Sequence, residues 1–254
     1  MELYKELAVK GCFSREDVIQ FTGSENSARW KIQNYLKKGF IERIRRDLYA
    51  VISLETNQPI PSRYRIASCI AKDSCVSHHS AFEYYGYANQ VFNTVYFSAK
   101  GRFTSFRYNG VTYIQTPWKG DVEVYETSSG IRVTSVERTV IDSVADPKIA
   151  GGMEELLRCL MLVPSLSKEK LLKSLECYHQ EQLYQKIGYV LEALKDEIPV
   201  EESFFSDCEK RISKSKTYLT EEHDDFIYNK RWKLYVPRDI REYLYKGVKN
   251  NDGI

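Results

Sequence analysis

The stretch FSREDVIQFTGSENSARWKIQNYLKKGFIERIRRDLYAV, residues 13–51, decides the fold of the N-terminal part of this chain. Its pattern predicts a helix, a tight turn, a second helix and a short basic hairpin, which is the element order of a winged helix-turn-helix. Between Arg29 and Arg46 it holds seven basic residues and one acid, a local net charge of +6. The whole chain of 254 residues has a formal net charge of only +2. Such a local concentration of positive charge favours an anionic partner.

Local capping signals delimit the two helices of this stretch. Ser14 stands three residues before Asp17, as at the start of a helix with a capping box. Gly23 can adopt the left-handed conformation that ends a helix, and Ser24 is the expected N-cap of the next one. Apolar residues then recur at helical spacing and are expected to face a core. These residues are Ala28, Ile32, Tyr35 and Leu36.

The opposite face of the second helix, together with the hairpin, is expected to bind DNA. Arg29 and Gln33 can form bidentate hydrogen bonds with guanine or adenine, and Asn26 can do so from the first turn. The helix N-terminus at Ser24 favours a phosphate. Arginines near the hairpin tip can reach the DNA backbone or the minor groove. The predicted DNA-binding residues are Ser24, Asn26, Arg29, Trp30, Gln33, Lys37, Arg43, Arg45 and Arg46.

Other interpretations of this surface stay open at the level of sequence. A run of basic residues is often only the solvated face of a small helical domain, and winged helices also serve as protein-binding modules. Trp30 has two expected positions, either packed on the hairpin or in contact with DNA.

We expect an α+β protein with two domains, because 254 residues suffice for two domains of ordinary size. Residues 1–54 form the winged helix-turn-helix domain, and residues 63–254 form a larger mixed α/β domain. The intervening residues 55–62 are polar and contain Pro59 and Pro61, which is typical of a linker.

The second domain is expected to be rich in strands first and in helices later. Asn109-Gly110 between two apolar runs is a strong hairpin signal. Helical periodicity dominates residues 136–194, and the pattern weakens from Asp196 onward. Two weak segments there, 216–219 and 232–236, are expected to be edge strands.

Composition limits the class and the compartment of the protein. No apolar run approaches the roughly 18 residues of a membrane helix, and the first residues lack the apolar core of a signal peptide. We therefore expect no membrane partner and a cytoplasmic location. The six cysteines include no CxxC pair and are expected to be reduced and structural.

No convincing catalytic or metal site is visible in the sequence, so no enzyme activity and no cofactor are expected. The alternative is a nucleic-acid-directed enzyme with a nuclease-like C-terminal domain, but the acid and lysine constellation that such a nuclease needs is not found. His78 and His79 follow Cys75 but lack the partners of a four-ligand zinc site, and they are expected to pack inside the fold. Glu137 and Asp142 are five residues apart and lie on different faces of a helix. A buried ion pair with Arg138, or a helix cap, is therefore expected instead of catalysis.

A second basic surface is possible in the strand-rich part of the chain. Residues 100–119 contain no Asp or Glu, and aromatic residues alternate with basic ones. A solvated face is the simpler explanation, and contact with nucleic acid or a partner is the alternative. The basic residues are Lys100, Arg102, Arg107 and Lys119.

Motifs along the chain, in their order, resemble those of the AbiEi family of antitoxins from bacterial type IV toxin–antitoxin (abortive infection) systems. The matching segments are residues 45–50 (RRDLYA), 64–67 (YRIA), 76–81 (VSHHSA), 95–98 (VYFS), 135–142 (SVERTVID) and 188–192 (GYVLE). The resemblance implies a repressor that binds double-stranded promoter DNA of its own operon. It also implies a nucleotidyltransferase-like toxin as functional partner, neutralised through the C-terminal domain without a stable complex. Residues from Asp196 onward match no motif of the family.

Overall fold

The computed structural model describes residues 2–221 and 225–245, and its helices and mixed sheets confirm the expected α+β class. The chain divides into two compact units. The first comprises Met1–Val76, Phe92–Trp118 and Tyr125–Val133, and the second comprises Ser77–Val91, Lys119–Val124 and Thr134–Ile254. The expected domain of residues 1–54 lies within the first unit, whereas residues 63–254 contribute to both.

The N-terminal region, residues 2–51, contains three helices and a three-stranded antiparallel sheet. In chain order its elements are α1 (Glu2–Lys10), β1 (Cys12–Ser14), α2 (Arg15–Thr22), α3 (Glu25–Lys37), β2 (Ile41–Arg45) and β3 (Leu48–Val51). The sheet order is β1-β3-β2, and β2 and β3 form a hairpin with an irregularity between Arg43 and Arg45. We call this hairpin, residues 41–51, the wing. The helices pack against the sheet and enclose a hydrophobic core. Leu7, Phe13 and Val18 are part of this core.

The predicted caps are present at the ends of these helices. The hydroxyl of Ser14 accepts a hydrogen bond from the Asp17 N–H, and the Asp17 carboxylate accepts one from the Ser14 N–H at 2.7 Å. Gly23 ends α2 with a φ of 73°, in the left-handed region. Ser24 then caps α3 by accepting from the Ser27 N–H. Local sequence chemistry therefore sets the turn between α2 and α3.

The expected linker is folded against the wing. Ile52 pairs with Pro59 in an antiparallel bridge, and the Ile60 N–H donates to the Val51 carbonyl at 2.8 Å. The Ser53 N–H donates to the Gln58 carbonyl at 2.9 Å, which closes the turn between them. Residues 55–62 thus form a hydrogen-bonded turn in the first unit.

A six-stranded mixed sheet follows, with the order β6-β7-β5-β4-β9-β8. Its strands are β4 (Cys75–Val76), β5 (Thr94–Ser98), β6 (Phe106–Tyr108), β7 (Val111–Thr116), β8 (Val124–Glu126) and β9 (Arg132–Thr134), preceded by helix α4 (Arg63–Ser68). The predicted hairpin turn is present between β6 and β7, where Asn109 and Gly110 both have positive φ angles. Cys12 and Cys69 form a disulfide within the first unit, so the expectation that all cysteines are reduced does not hold for this pair.

The second unit is mainly helical. Its elements are α5 (His78–Tyr85), α6 (Val136–Ala145), α7 (Met153–Met161), α8 (Lys168–Glu176), α9 (Glu181–Ala193), α10 (Glu202–Glu209), β10 (Thr217–Tyr218), β11 (Ile227–Asn229), β12 (Leu234–Val236) and α11 (Glu242–Tyr245). Strand β12 lies between β10 and β11, so the segment expected as an edge strand at 232–236 contributes the central strand of this small sheet.

Trp232 anchors the C-terminal segment in the core of the second unit. Its side chain is fully buried, and its indole N–H donates to the Glu192 carboxylate at 2.6 Å. Gly188 on α9 makes room for the indole, because a Cβ at this position would lie 2.1 Å from the Trp232 ring. The segment from Asp196 onward, which matches no family motif, therefore contributes residues such as Phe204, Trp232 and Leu234 to this core.

No helix in the ranges 2–221 and 225–245 is long and apolar enough to cross a membrane.

Candidate nucleic-acid interface

One face of α3 is buried and the opposite face is open to solvent. Ala28, Ile32 and Tyr35 are buried in the core of the N-terminal region. The predicted DNA-binding residues of the helix lie on its exposed side, three or four positions apart. They are Asn26, Arg29, Gln33 and Lys37, with Trp30 beside them. The helix can therefore present an amide and guanidinium face to a partner while its apolar face holds the fold together.

The basic side chains of this face are available for a partner. Within residues 2–221 and 225–245, neither Arg29 nor Lys37 forms an ion pair. Ser24 is exposed, but its hydroxyl oxygen is used as the N-cap of α3. A phosphate at this end of the helix would be bound by backbone N–H groups.

Trp30 is largely open to solvent. Its side chain is 60% exposed, and the Lys31 ammonium lies 5.6 Å from the centre of its ring. With this exposure the indole is open to a partner.

The wing presents two of its three arginines to solvent. The Arg43 guanidinium lies 5.7 Å from the Tyr49 ring centre and the residue is exposed. Arg46 is at the tip, with 94% of its side chain exposed and its Nε 3.6 Å from an Asp47 carboxylate oxygen. Asp47 turns the tip with a φ of 58°. Arg43 and Arg46 are thus free to reach a phosphate backbone.

The third arginine of the wing, Arg45, lies against two aromatic rings. Its guanidinium carbon lies 5.3 Å from the ring centre of Phe103 and 5.2 Å from that of Phe106. The sequence predicted that Arg45 grips DNA together with its neighbour Arg46, but the structure separates the two. Phe103 and Phe106 are some 60 positions away along the chain, so sequence reasoning near the wing could not have found them.

The predicted second basic surface is divided between the two units. Lys100, Arg102 and Arg107 are exposed residues of the first unit, and the Lys100 ammonium lies 5.8 Å from the Trp118 ring centre. Lys119 belongs to the second unit, where its ammonium lies 4.7 Å from the Tyr178 ring centre. The four residues are therefore not treated as one surface below.

A buried polar cluster in the second unit contains the residues that could hold a metal ion. His79, Glu155 and Cys159 bring one ligand atom each within 4.8 Å of one another. The Glu155 Oε1 atom lies 3.1 Å from His79 Nε2 and accepts from the N–H groups of Asn89 at 3.1 Å and Gln90 at 2.8 Å.

Hydrogen bonds within this cluster account for the burial of its polar groups. Cys159 donates its S–H to the same oxygen of Glu155 at 3.3 Å, and burial raises the pKa of Cys159 to about 12. Burial alone would raise the pKa of Glu155, but hydrogen bonds from His79, Gln90 and Asn89 outweigh it and lower the pKa below its ordinary value. A charged carboxylate is thus held inside the unit by several donors. His79 is buried, as expected. Glu155 was missed, although it lies four residues from Cys159 on one helix face.

A second buried cluster contains Arg138. Its Nε donates to the Asp142 carboxylate at 2.7 Å, with both side chains enclosed, as expected for a buried ion pair. Burial alone would lower the pKa of Arg138, but Asp142 outweighs it and raises the pKa. Tyr178 donates to the same Asp142 oxygen at 2.6 Å, and burial together with Asp142 raises the Tyr178 pKa. These groups are paired with one another inside the fold.

Comparison with known proteins adds one structural likeness. No family model and no curated protein matches this chain. Among solved structures, the RV2827C protein from Mycobacterium tuberculosis is similar, with a TM-score of 0.64 over 97% of this chain and 93% of that one. Sequence identity is 15%, so the likeness concerns the fold alone.

Proposed function

We propose that this protein is a DNA-binding transcriptional repressor that also acts as the antitoxin of a type IV toxin–antitoxin operon. Its N-terminal region is a winged helix-turn-helix that binds double-stranded promoter DNA. Its functional partner is a nucleotidyltransferase-like toxin, which it neutralises without a stable complex. We assign it to the cytoplasm and give it no catalytic role.

The exposed face of α3 carries the DNA-binding part of this proposal. Arg29 and Gln33 stand one turn apart on a helix whose other face is buried, and both side chains are exposed. Side chains of this type, spaced in this way, suit the edges of neighbouring base pairs in the major groove. The basic charge of the wing lies beside this helix in sequence and suits phosphates.

The order of elements supports the same assignment. The N-terminal region has a helix, a strand, two helices and a two-stranded hairpin, and its first strand pairs with its last. This order of elements is one that winged helices share, and it supports the proposal. The tight turn at Gly23 and Ser24 joins the two helices of the helix-turn-helix.

The antitoxin part rests on the order of the motifs that resemble the AbiEi family. The environment of the acidic groups in the second unit supports the part of the proposal that gives this protein no catalytic role. Glu155 and Asp142 are enclosed and accept hydrogen bonds from neighbouring side chains, which suits a structural role.

Binding of the full chain to DNA from upstream of its own gene tests the repressor function. We expect affinity to fall steeply with salt concentration, and to be higher for this fragment than for a scrambled fragment of equal length. For the variants that remove a charge from α3 or the wing, Lys5→Ala on the exposed side of α1 is the matched control. Equal binding to both fragments would leave only non-specific DNA affinity, and no binding at all would reject the repressor function.

Co-expression with the product of the neighbouring gene tests the antitoxin function. We expect that gene to arrest growth alone and to be tolerated when this chain is present. Unrelieved growth arrest would reject the antitoxin function while leaving DNA binding intact.

A further inference from the structure

A pair of contacts joins the wing to the segment that leads into β6. The Arg45 guanidinium faces the rings of Phe103 and Phe106, at 5.3 and 5.2 Å from their centres. Three residues before it, Glu42 accepts a hydrogen bond from the Tyr108 hydroxyl at 3.1 Å. All five residues belong to the first unit. The wing is therefore held at two points along β2.

The aromatic platform below Arg45 is itself well supported. Phe106 stacks on Tyr113 of β7 with a centroid distance of 4.8 Å and an interplanar angle of 8°. Phe103 packs edge-on against Phe97 of β5, and its N–H donates to the Gln115 side chain at 2.8 Å. The rings are thus fixed on two neighbouring strands of the six-stranded sheet.

Arg45 is poorly placed to bind a phosphate. Its Nη1 atom is enclosed and has no hydrogen-bond acceptor among the residues that the structure describes. A guanidinium over two aromatic rings is stabilised by its attraction to the ring faces. Leaving the rings for a phosphate would forfeit the attraction to both of them. Arg46 is exposed at the tip with no ring beneath it, and Arg43, which lies over the single ring of Tyr49, is also exposed.

We infer that Arg45 is a positioning residue: its stacking on Phe103 and Phe106, together with the Tyr108–Glu42 hydrogen bond, sets the wing so that Arg43 and Arg46 meet the DNA backbone. This inference rests on the proposed DNA binding. It assigns to the segment 103–108 a role in DNA affinity without contact with DNA. It also predicts that the charge of Arg45 does not contribute to counterion release.

The salt dependence of DNA binding distinguishes a positioning residue from a phosphate contact. Each phosphate contact that is lost reduces the slope of log affinity against log salt by about 0.9. We expect Arg46→Ala to reduce the slope by about that amount. We expect Arg45→Ala to leave the slope unchanged and to weaken binding roughly 3- to 10-fold at every salt concentration, as the loss of a cation–π pair allows.

Variants on the platform provide the independent test. Phe106→Leu should weaken binding with an unchanged slope. Adding Arg45→Ala to it should then cost less than Arg45→Ala costs in the wild-type chain, because only the contact with Phe103 remains to be lost. Tyr108→Phe removes the second point of attachment and leaves Arg45 in place, so it should cause a smaller loss. Thermal unfolding of each variant shows whether it is folded under the binding conditions.

A reduced slope for Arg45→Ala, or unchanged affinity, would overturn the positioning role while leaving the DNA-binding proposal standing. If the losses from Arg45→Ala and Phe106→Leu simply add, the two residues do not act through each other and the inference also fails. Salt-independent or absent binding by the wild-type chain would instead reject the proposed function itself.

Discussion

The exposed face of α3 and the buried clusters of the second unit both contain many polar and charged side chains. The two regions differ in whether these side chains are exposed or buried and in whether they are paired. Arg29 is exposed and forms no ion pair among the described residues. Arg138 is enclosed and bonded to Asp142 at 2.7 Å. An exposed, unpaired charge costs the fold little and remains available to an anion, whereas a buried charge must be paired to be tolerated. Residue type alone therefore does not indicate function, and the partners of each side chain do.

The largest effect is expected where a buried pair is broken. Arg138→Ala leaves the Asp142 carboxylate enclosed without its charged partner, although the Tyr178 hydroxyl still donates to it. This variant should lower the free energy of unfolding by about 3–5 kcal/mol. Urea denaturation measures the change. Arg158→Ala, which breaks a half-exposed pair with Glu154, is the control and should cost less than about 1 kcal/mol. Equal losses from the two variants would remove the distinction between buried and exposed charge.

The next largest effect is expected for the exposed face of α3. Arg29→Ala and Gln33→Ala should each reduce binding to promoter DNA by about 1–3 kcal/mol and relax base preference at one position. Stability should be unchanged, because neither side chain is buried. Titration against a panel of single-base variants of the site measures both quantities. Equal losses on promoter and scrambled DNA would mean that this face contacts phosphates and reads no bases.

Acid should titrate buried groups of the second unit and leave the charge of the exposed arginines unchanged. Burial lowers the pKa of His78 from 6.5, so the unfolded chain takes up this proton first and stability declines as the pH falls below 6.5. Glu155 has a pKa below 4.5 in the folded state, so its contribution is present above pH 4.5 and is lost as the pH falls through the folded value.

Urea denaturation at pH 7, 6, 5 and 4 measures this decline. Glu155→Gln should lower stability at pH 7 and flatten only the part of the curve below about pH 4.5. A curve that is flat from pH 7 to pH 5 would contradict the assignment of His78. A further measurement at pH 3 tests Glu155, whose assignment fails if the wild-type and Glu155→Gln curves fall in parallel between pH 5 and pH 3. DNA affinity should follow the folded fraction alone, since arginine stays protonated throughout.

The smallest effect on DNA binding is expected from the second basic surface. Reversing Lys100, Arg102 and Arg107 to Glu should weaken binding modestly and equally on promoter and scrambled DNA. If the surface serves antitoxin activity, the same variant loses protection against the toxin in cells. Lys119→Glu is made separately, because this residue lies in the other unit. Full protection by the triple variant would leave these three residues as a solvated face.

The parts of the fold that were predictable depend on neighbours in sequence. The capping box at Ser14 and Asp17, the turn at Gly23 and Ser24, and the hairpin at Asn109-Gly110 all occur where expected. Each arises from contacts within a few residues, so the sequence pattern is sufficient. A buried ion pair at Arg138 was one of two expected outcomes, the other being a helix cap. The pair forms with Asp142, and residues four apart meet on one helix face.

The features that were not predictable join distant parts of the chain. Arg45 meets Phe103 and Phe106, and Glu155 meets His79. No pattern of spacing indicates which of many aromatic or acidic residues will lie beside a given side chain once the chain is folded. The turn at residues 55–62 was missed for a related reason, since prolines and polar residues occur both in linkers and in turns that bond back to a strand.

By itself, the sequence determined the helices, the hairpins and the charge of the N-terminal region, because these follow from local propensity, periodicity and composition. Only the tertiary structure decided which arginines of the wing are open to solvent and which one lies against two aromatic rings of a distant segment. It also decided that the segment after Asp196 contributes Trp232 to the core beside Gly188. Both outcomes depend on packing between residues far apart in the chain, where shape and the space left by neighbouring side chains select the partner.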